Sequence, residues 1–179
     1  MRPGEVIRFW FEETSPKAWW TDDPAFDEQL TLRFGDLLHR AAAAELSAWR
    51  VDAIGRLAEI IVLDQFSRNI YRGTPRAFAQ DGMALVLAQE GVAQGALAAL
   101  EPIKRAFLLL PYMHSESKAI HVQAEALYRE FAPPENYDFE LRHKAIIDRF
   151  GRYPHRNAAL GRRSTAEEAE FLELPNSGF

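Results

Sequence analysis

"DPAFDEQLTLRFGDLLHRAAAAEL", residues 23–46, decides the fold class. Phe26, Leu30, Phe34, Leu37 and Leu38 recur three and four residues apart, which lines one face of an α-helix. Asp23 stands at the capping position, where its carboxylate can accept N–H groups of the first turn. Pro24 follows at the first helical position, where a missing N–H does no harm. The stretch therefore predicts a helix from Pro24 to about Leu46.

The same period extends in both directions. Val6, Phe9 and Trp10 predict a short first helix, followed by a loop over residues 14–23. Leu57, Ile60, Ile61 and Leu63 predict a third helix. Gly73 and Pro75 in "RGTPRAF" (72–78) interrupt the pattern before a helix over about 76–94. Pro102 opens another, which Pro111 should end or kink. Further helices are expected over 115–131 and 139–150. Ser164 with Glu167, or Thr165 with Glu168, has capping-box spacing before a last helix ending near Leu174. No run alternates as a strand does. About eight short helices with brief connections imply an all-α fold, a bundle or a stack of antiparallel helical hairpins, in a single domain over 1–179.

Composition narrows the function classes. Hydrophobic residues make up 47% and charged residues 26%, enough apolar surface to build a core in a chain of 179 residues. The absence of cysteine excludes disulfides, thiolate catalysis and Cys-ligated metals. The first residues, MRPGEVIRFWFEE, lack the unbroken apolar segment of a signal peptide, and no stretch reads as a membrane span. A cytoplasmic protein is expected, with no membrane partner. The net charge of −5 argues against nucleic acid as a partner. That average hides a gradient, because residues 142–163 carry +6 and the remainder −11. Such polarity marks either an anion site on an acidic body or arginines that neutralise the protein's own carboxylates.

The basic region contains "DRFGRYPHR" (148–156), and "DQFSRNIYR" (64–72) shares its pattern D-x-F-x-R-x-x-x-R. If each copy begins at a helix end, Asp64 lies one turn from Arg68 and Asp148 one turn from Arg152. Phe66 and Phe150 would point to the core, while Arg72 and Arg156 would project from the loop beyond. Arginine suits this position because its planar fork binds carboxylate or phosphate through two hydrogen bonds and keeps its charge when partly buried.

Between the copies lies "PYMHSESKAIH" (111–121). A helix running through it would set His114, His121 and Glu125 on one stripe, with the two histidines about two turns apart. One ion cannot span that distance directly, and His143 or His155 would have to join, so no metal is predicted; no phosphate loop or dinucleotide fingerprint is present either, and no cofactor is expected. Ser115 and Lys118 form an S-x-x-K without the companion motifs of an acyl-enzyme, and they are read as coincidence.

"LDQFSRNIYRGTPRAFAQD" (63–81), "PYMHSES" (111–117), "HKAIIDRFGRYPHRN" (143–157) and "LGRRSTAEEAEFL" (160–172) together resemble a bacterial family catalogued as domain of unknown function 924. The resemblance spans essentially the whole chain. It implies an all-α protein with a tetratricopeptide-like right-handed superhelix, and it brings no established activity. The expected function is a binding module that holds an anionic small molecule or an acidic peptide. Asp64, Arg68, Arg72, His114, Glu116, His143, Asp148, Arg152, His155, Arg156 and Asn157 are the expected site residues. The alternative is a hydrolase of a phosphorylated or carboxylated metabolite, with histidine as acid or base and Glu116 or Asp148 orienting it. The bland reading is that the arginines tie helix ends together. No signal bears on oligomeric state.

Overall fold

Asp23 does cap helix α2 (Pro24–Ala42), its carboxylate accepting the N–H groups of Ala25 and Phe26 at 2.9 and 3.4 Å in the computed structural model, which describes residues 1–175, 177 and 178. The predicted apolar stripe is buried in full. The helix stops four residues before Leu46. Ala44 takes a left-handed conformation (φ 58°), which turns the chain and carries Leu46 into the core. Packing has overridden the helical preference of an alanine run.

Helix α1 (Pro3–Arg8) continues as a π-helical turn, Phe9–Glu13, which puts both Phe9 and Trp10 inside. The Phe9 ring lies 4.7 Å from that of Phe34, joining α1 to α2. Trp20, by contrast, is 61% exposed and stacks over Phe107.

The centre of the core is α3 (Ala53–Ile61), which packs against α1, α5 (Asp81–Ala93) and α7 (Pro102–Met113). Asp52 caps it through the Gly55 N–H at 2.7 Å. Gly55 is required there, since a Cβ would sit 1.8 Å from the Trp49 carbonyl oxygen. Beyond Ile61 the rod continues as a second π-helical turn, Val62–Phe66, and then as α4 (Ser67–Ile70). Every side chain from Leu57 to Phe66 is buried, and each large apolar one contributes about 1.5–3 kcal/mol.

The helix expected over 76–94 is divided into a 3-10 turn, Pro75–Phe78, and α5 (Asp81–Ala93). Asp81 thus becomes the first residue of a helix, where negative charge is favoured. After α6 (Ala96–Ala99), α7 (Pro102–Met113) runs through Pro111 and ends two residues later, so the proline does not terminate it. Helix α8 (Lys118–Phe131) starts three residues later than expected. His114 and His121 therefore lie on opposite sides of a break and do not form a stripe.

Helix α9 (Pro134–Phe150) starts five residues earlier than expected, with Pro134 at its first position. Gly151, left-handed at φ 71°, ends it. Thr165 and Glu168 form the predicted capping box of α10 (Ala166–Leu172). Helix α8 packs between α7 and α9. A second, small core of Ile146, Ile147 and Tyr153 is closed by Phe150 and Phe171. The described residues contain helices and turns and no strand, and no helix is long and apolar enough to cross a membrane.

Candidate functional site

The turn Val62–Phe66 is a π-bulge inside an otherwise α-helical rod. Such bulges insert a residue and re-aim the side chains beside it. Here the re-aimed residue is Asp64, 1% exposed at the side chain. Its Oδ1 accepts from Arg68 Nη1 at 3.0 Å and from His114 Nδ1 at 2.8 Å, and its Oδ2 accepts from Gln65 Nε2 at 2.6 Å. Burial pushes the Asp64 carboxyl up, but Arg68 and His114 outweigh it and hold the group well below the usual carboxylate range.

Arg68 reaches from Asp64 to a second carboxylate. Its two terminal nitrogens bond both oxygens of Asp81, at 2.9 and 3.0 Å. Arg156 arrives from the 3-10 turn Pro154–Arg156 and donates to the same Asp81 at 3.2 Å and to the His114 carbonyl at 2.9 Å. Its guanidinium lies between the rings of Phe78 and Tyr153, 4.8 and 4.6 Å from their centroids. Arg156 Nε is buried without a partner among the described residues. Burial, and then Arg68, weaken the charged form of Arg156, and Asp81 and Glu116 only partly offset them. Burial followed by Arg68 also lowers His114, which favours the neutral ring at pH 7. With Nδ1 on Asp64, His114 Nε2 has no hydrogen-bond partner among the described residues, and the side chain is 13% exposed.

Asp64, Arg68, His114 and Arg156 are thus brought together, with Asp81 completing the cluster. Glu116 and Asn157 belong to an adjoining network. Glu116 takes a two-point bond from Arg162, at 2.6 and 2.9 Å, and accepts the Tyr153 N–H at 2.7 Å. Asn157 bridges Arg162 and Glu168, and Glu168 holds Arg152 through two bonds of 2.6 and 2.7 Å. Arg152 contacts lower the Glu168 carboxyl to about 2.

The two D-x-F-x-R corners are not equivalent. The first lies within a continuing helical rod, so Asp64 meets Arg68. In the second, Gly151 ends the helix, Arg152 turns to α10, and Asp148 pairs instead with Lys144 at 2.5 Å on the surface. Phe66 is fully buried, whereas Phe150 is only partly so. Arg72 also lies outside the cluster, bound to Asp27 at 2.7 and 3.0 Å and to Asp22 at 2.5 Å.

His143 and His155 pack against the Tyr153 ring, with centroids 5.7 and 5.4 Å away. Below them His121 and Glu140, both fully buried, share a 2.7 Å bond. No three His, Asp or Glu side chains among the described residues are arranged to hold a metal ion.

The family model for a bacterial protein of unknown function (DUF924) matches residues 6–176. The chain belongs to this family. The solved structure of a protein of unknown function from Agrobacterium tumefaciens is similar to this DUF924 protein, with 36% identity, a TM-score of 0.90 and 96% of each chain covered. Among curated proteins none matches it.

Among the residues of this candidate site, Asp81 and Tyr153 differ in how far the sequence marks them. Asp81 ends the quoted block 63–81, and its usable signal is its place as a carboxylate opening a helix after the Gly73–Pro75 break. Tyr153 sits among the basic residues and gives no such signal.

The buried histidines give this DUF924 protein a predicted pH profile. Burial pushes His143 down to about 3 and His155 down to about 4. Each stays neutral in the fold while the unfolded chain protonates near 6.5, so their stabilisation is complete above that value and drains away as pH falls. Each contributes a slope of up to about 1.4 kcal/mol per pH unit. Thermal midpoints should therefore decline from pH 6.5 to 4.5, and His143→Gln should flatten that decline. A level midpoint over this range would refute the assignment.

Proposed function

We propose that the protein binds a small anionic molecule where Arg68, Arg156 and His114 meet. Asp81 is the internal counter-ion that the ligand's carboxylate or phosphate replaces. The observation that supports this reading most is the sharing of Asp81. Two guanidiniums, 19% and 6% exposed, converge on this single carboxylate, itself 21% exposed. Asp64 is engaged by Arg68, His114 and Gln65 rather than by Arg156, so Arg156 is left short of negative charge. A buried cation that is incompletely paired is costly, and an entering anion relieves it. His114 Nε2 offers a further polar contact at the edge of the cluster.

Thermal melts with a panel of phosphorylated and carboxylated metabolites test the proposal. A true ligand stabilises the wild type by about 2.7 kcal/mol at a hundredfold excess over its Kd. The stabilisation should disappear in Arg156→Gln. A panel that leaves the wild type unmoved would remove the reading.

The Asp64–His114 pair supports a second reading. A neutral imidazole that donates from Nδ1 to a fixed carboxylate carries its lone pair at Nε2, as a general base requires. Hydrolysis of a panel ligand that is abolished by His114→Gln, with binding retained, would favour it.

A further inference from the structure

The charges around Asp81 limit what can take its place. Arg68 and Arg156 each carry a positive charge, Asp64 and Asp81 each a negative one, and the cluster is neutral as it stands. The groups at its edge leave that balance unchanged. Glu116 is matched by Arg162, at 2.6 and 2.9 Å. Burial pushes His155 down to about 4 and also lowers His114, so both rings are neutral at pH 7. Once the Asp81 carboxylate gives way to a ligand, one positive charge between the guanidiniums is left to compensate. A monoanion restores neutrality. A phosphate dianion overshoots it and leaves net negative charge in a site where Arg156 is only 6% exposed, and unbalanced buried charge is costly.

The donors agree with this count. Nη1 and Nη2 of Arg68 bond one Asp81 oxygen each, at 2.9 and 3.0 Å, and Nη1 of Arg156 adds a third bond at 3.2 Å. That is side-on recognition of a planar group with two oxygens. No other side chain among the described residues bonds Asp81, so none is in place for the additional oxygens of a phosphate. Nη2 of Arg156 is already committed to the His114 carbonyl.

His114 supplies the remaining feature. Its Nδ1 donates to Asp64 Oδ1, an oxygen that Arg68 Nη1 also bonds. A neutral ring held in this way bears its lone pair at Nε2. That atom has no hydrogen-bond partner among the described residues, and it is open to solvent. A hydroxyl can donate to it, whereas a bare anionic oxygen is repelled. An ammonium can also donate, but its positive charge would undo the neutrality that the carboxylate restores.

We infer that the ligand of this site is a small monocarboxylate bearing a hydroxyl group, an inference that rests on the anion-binding reading of the Asp81 cluster. Its carboxylate takes the place of Asp81 between Arg68 and Arg156, and its hydroxyl donates to His114 Nε2.

The test is a titration of the whole chain with matched acids, read by the thermal midpoint at constant ionic strength with chloride as the balancing anion. Glycolate, lactate, mandelate and β-hydroxybutyrate are compared with acetate, propionate, phenylacetate and butyrate, which lack the hydroxyl, and with methyl phosphate. At least one hydroxy acid should give a saturable rise at a concentration about three- to tenfold below its deoxy partner, the share of one hydrogen bond. Methyl phosphate should act more weakly than that acid, and Arg156→Gln should abolish the response. His114→Phe should bring the hydroxy acid level with its deoxy partner, and the matched pairs in the wild type decide the matter even if that variant does not fold. A saturable response to methyl phosphate that exceeds every hydroxy acid and is lost in Arg156→Gln overturns the inference while leaving the anion site standing. Equal responses within every pair, lost in Arg156→Gln, do the same. A linear rise shared by the wild type and Arg156→Gln is general salting, and it removes the site and its ligand together.

Discussion

Asp64→Ala is expected to destabilise the protein by about 3–5 kcal/mol, the range for breaking a buried ion pair on one side. For a chain of this length that corresponds to a fall of roughly 6–20 °C in the thermal midpoint. The size follows from what the carboxylate holds. It accepts from Arg68, His114 and Gln65 in a site where its own side chain is 1% exposed. Removing it leaves Arg68 with Asp81 and the residue 64 carbonyl, and His114 Nδ1 with nothing. Asp64→Asn keeps the shape and one acceptor, so its loss should be smaller. Urea denaturation checks both variants, with a lower midpoint and an unchanged slope. A loss below about 1 kcal/mol for Asp64→Ala, the range of surface ion pairs, would contradict the account.

The second large effect concerns Glu140. His121 Nε2 faces the Ser115 carbonyl at 2.8 Å, and a carbonyl only accepts, so this nitrogen carries hydrogen. The proton shared with Glu140 then lies between Nδ1 and Oε1, 2.7 Å apart. Burial raises the Glu140 carboxyl, and His121 only partly opposes this. Its Oε2 is buried without a partner among the described residues, a position far easier for the carbonyl of a neutral acid than for a carboxylate. Burial and the unpartnered Oε2 both favour the neutral acid at Glu140. Glu140→Gln, whose amide can donate to Nδ1 in the same way, should cost under about 1 kcal/mol. Glu140→Ala leaves an unpaired ring nitrogen and a cavity, and should cost about 3 kcal/mol. Equal losses in the two variants would show an ionised pair instead.

These two residues also show how far the sequence could be read. The helical period placed Asp64 near the end of a helix and Arg68 one turn on, and that pairing exists. The period could not show the π-bulge at Val62–Phe66, because the apolar run that enters it, 60–63, has no glycine or proline to mark a change of helix type. The break between α7 and α8 is expected at Pro111, but it falls after His114. The segment "HSES" has no glycine or proline to mark it, and the chain leaves the helix there to let Glu116 reach Arg162 and Tyr153. The second D-x-F-x-R copy misled for a plainer reason. Gly151 replaces a helix-compatible serine of the first copy, and one left-handed residue sends Arg152 to Glu168.

The basic stretch 142–163 reads equally as an anion site or as internal neutralisation, and the pairing in the structure differs by residue. Arg149, Arg152 and Arg162 are spent on Glu167, Glu168 and Glu116. Arg156 is the one that shares its carboxylate with another arginine. Partner choice of this kind depends on contacts 75 residues apart, as between Arg156 and Asp81, and no local pattern encodes it.

Replacing Asp81 by asparagine separates a ligand site from a structural strut. Asp81→Asn removes the counter-charge of Arg68 and Arg156 while keeping the helix that carries it. Thermal midpoints of this variant and the wild type would be followed in parallel against the phosphorylated and carboxylated metabolites. The account predicts opposite signs: a lower midpoint without ligand, and a larger stabilisation by the anion than the wild type shows. A variant that simply melts earlier, and that no anion stabilises beyond the wild type, would make the Arg68–Asp81–Arg156 cluster a helix tie and nothing more.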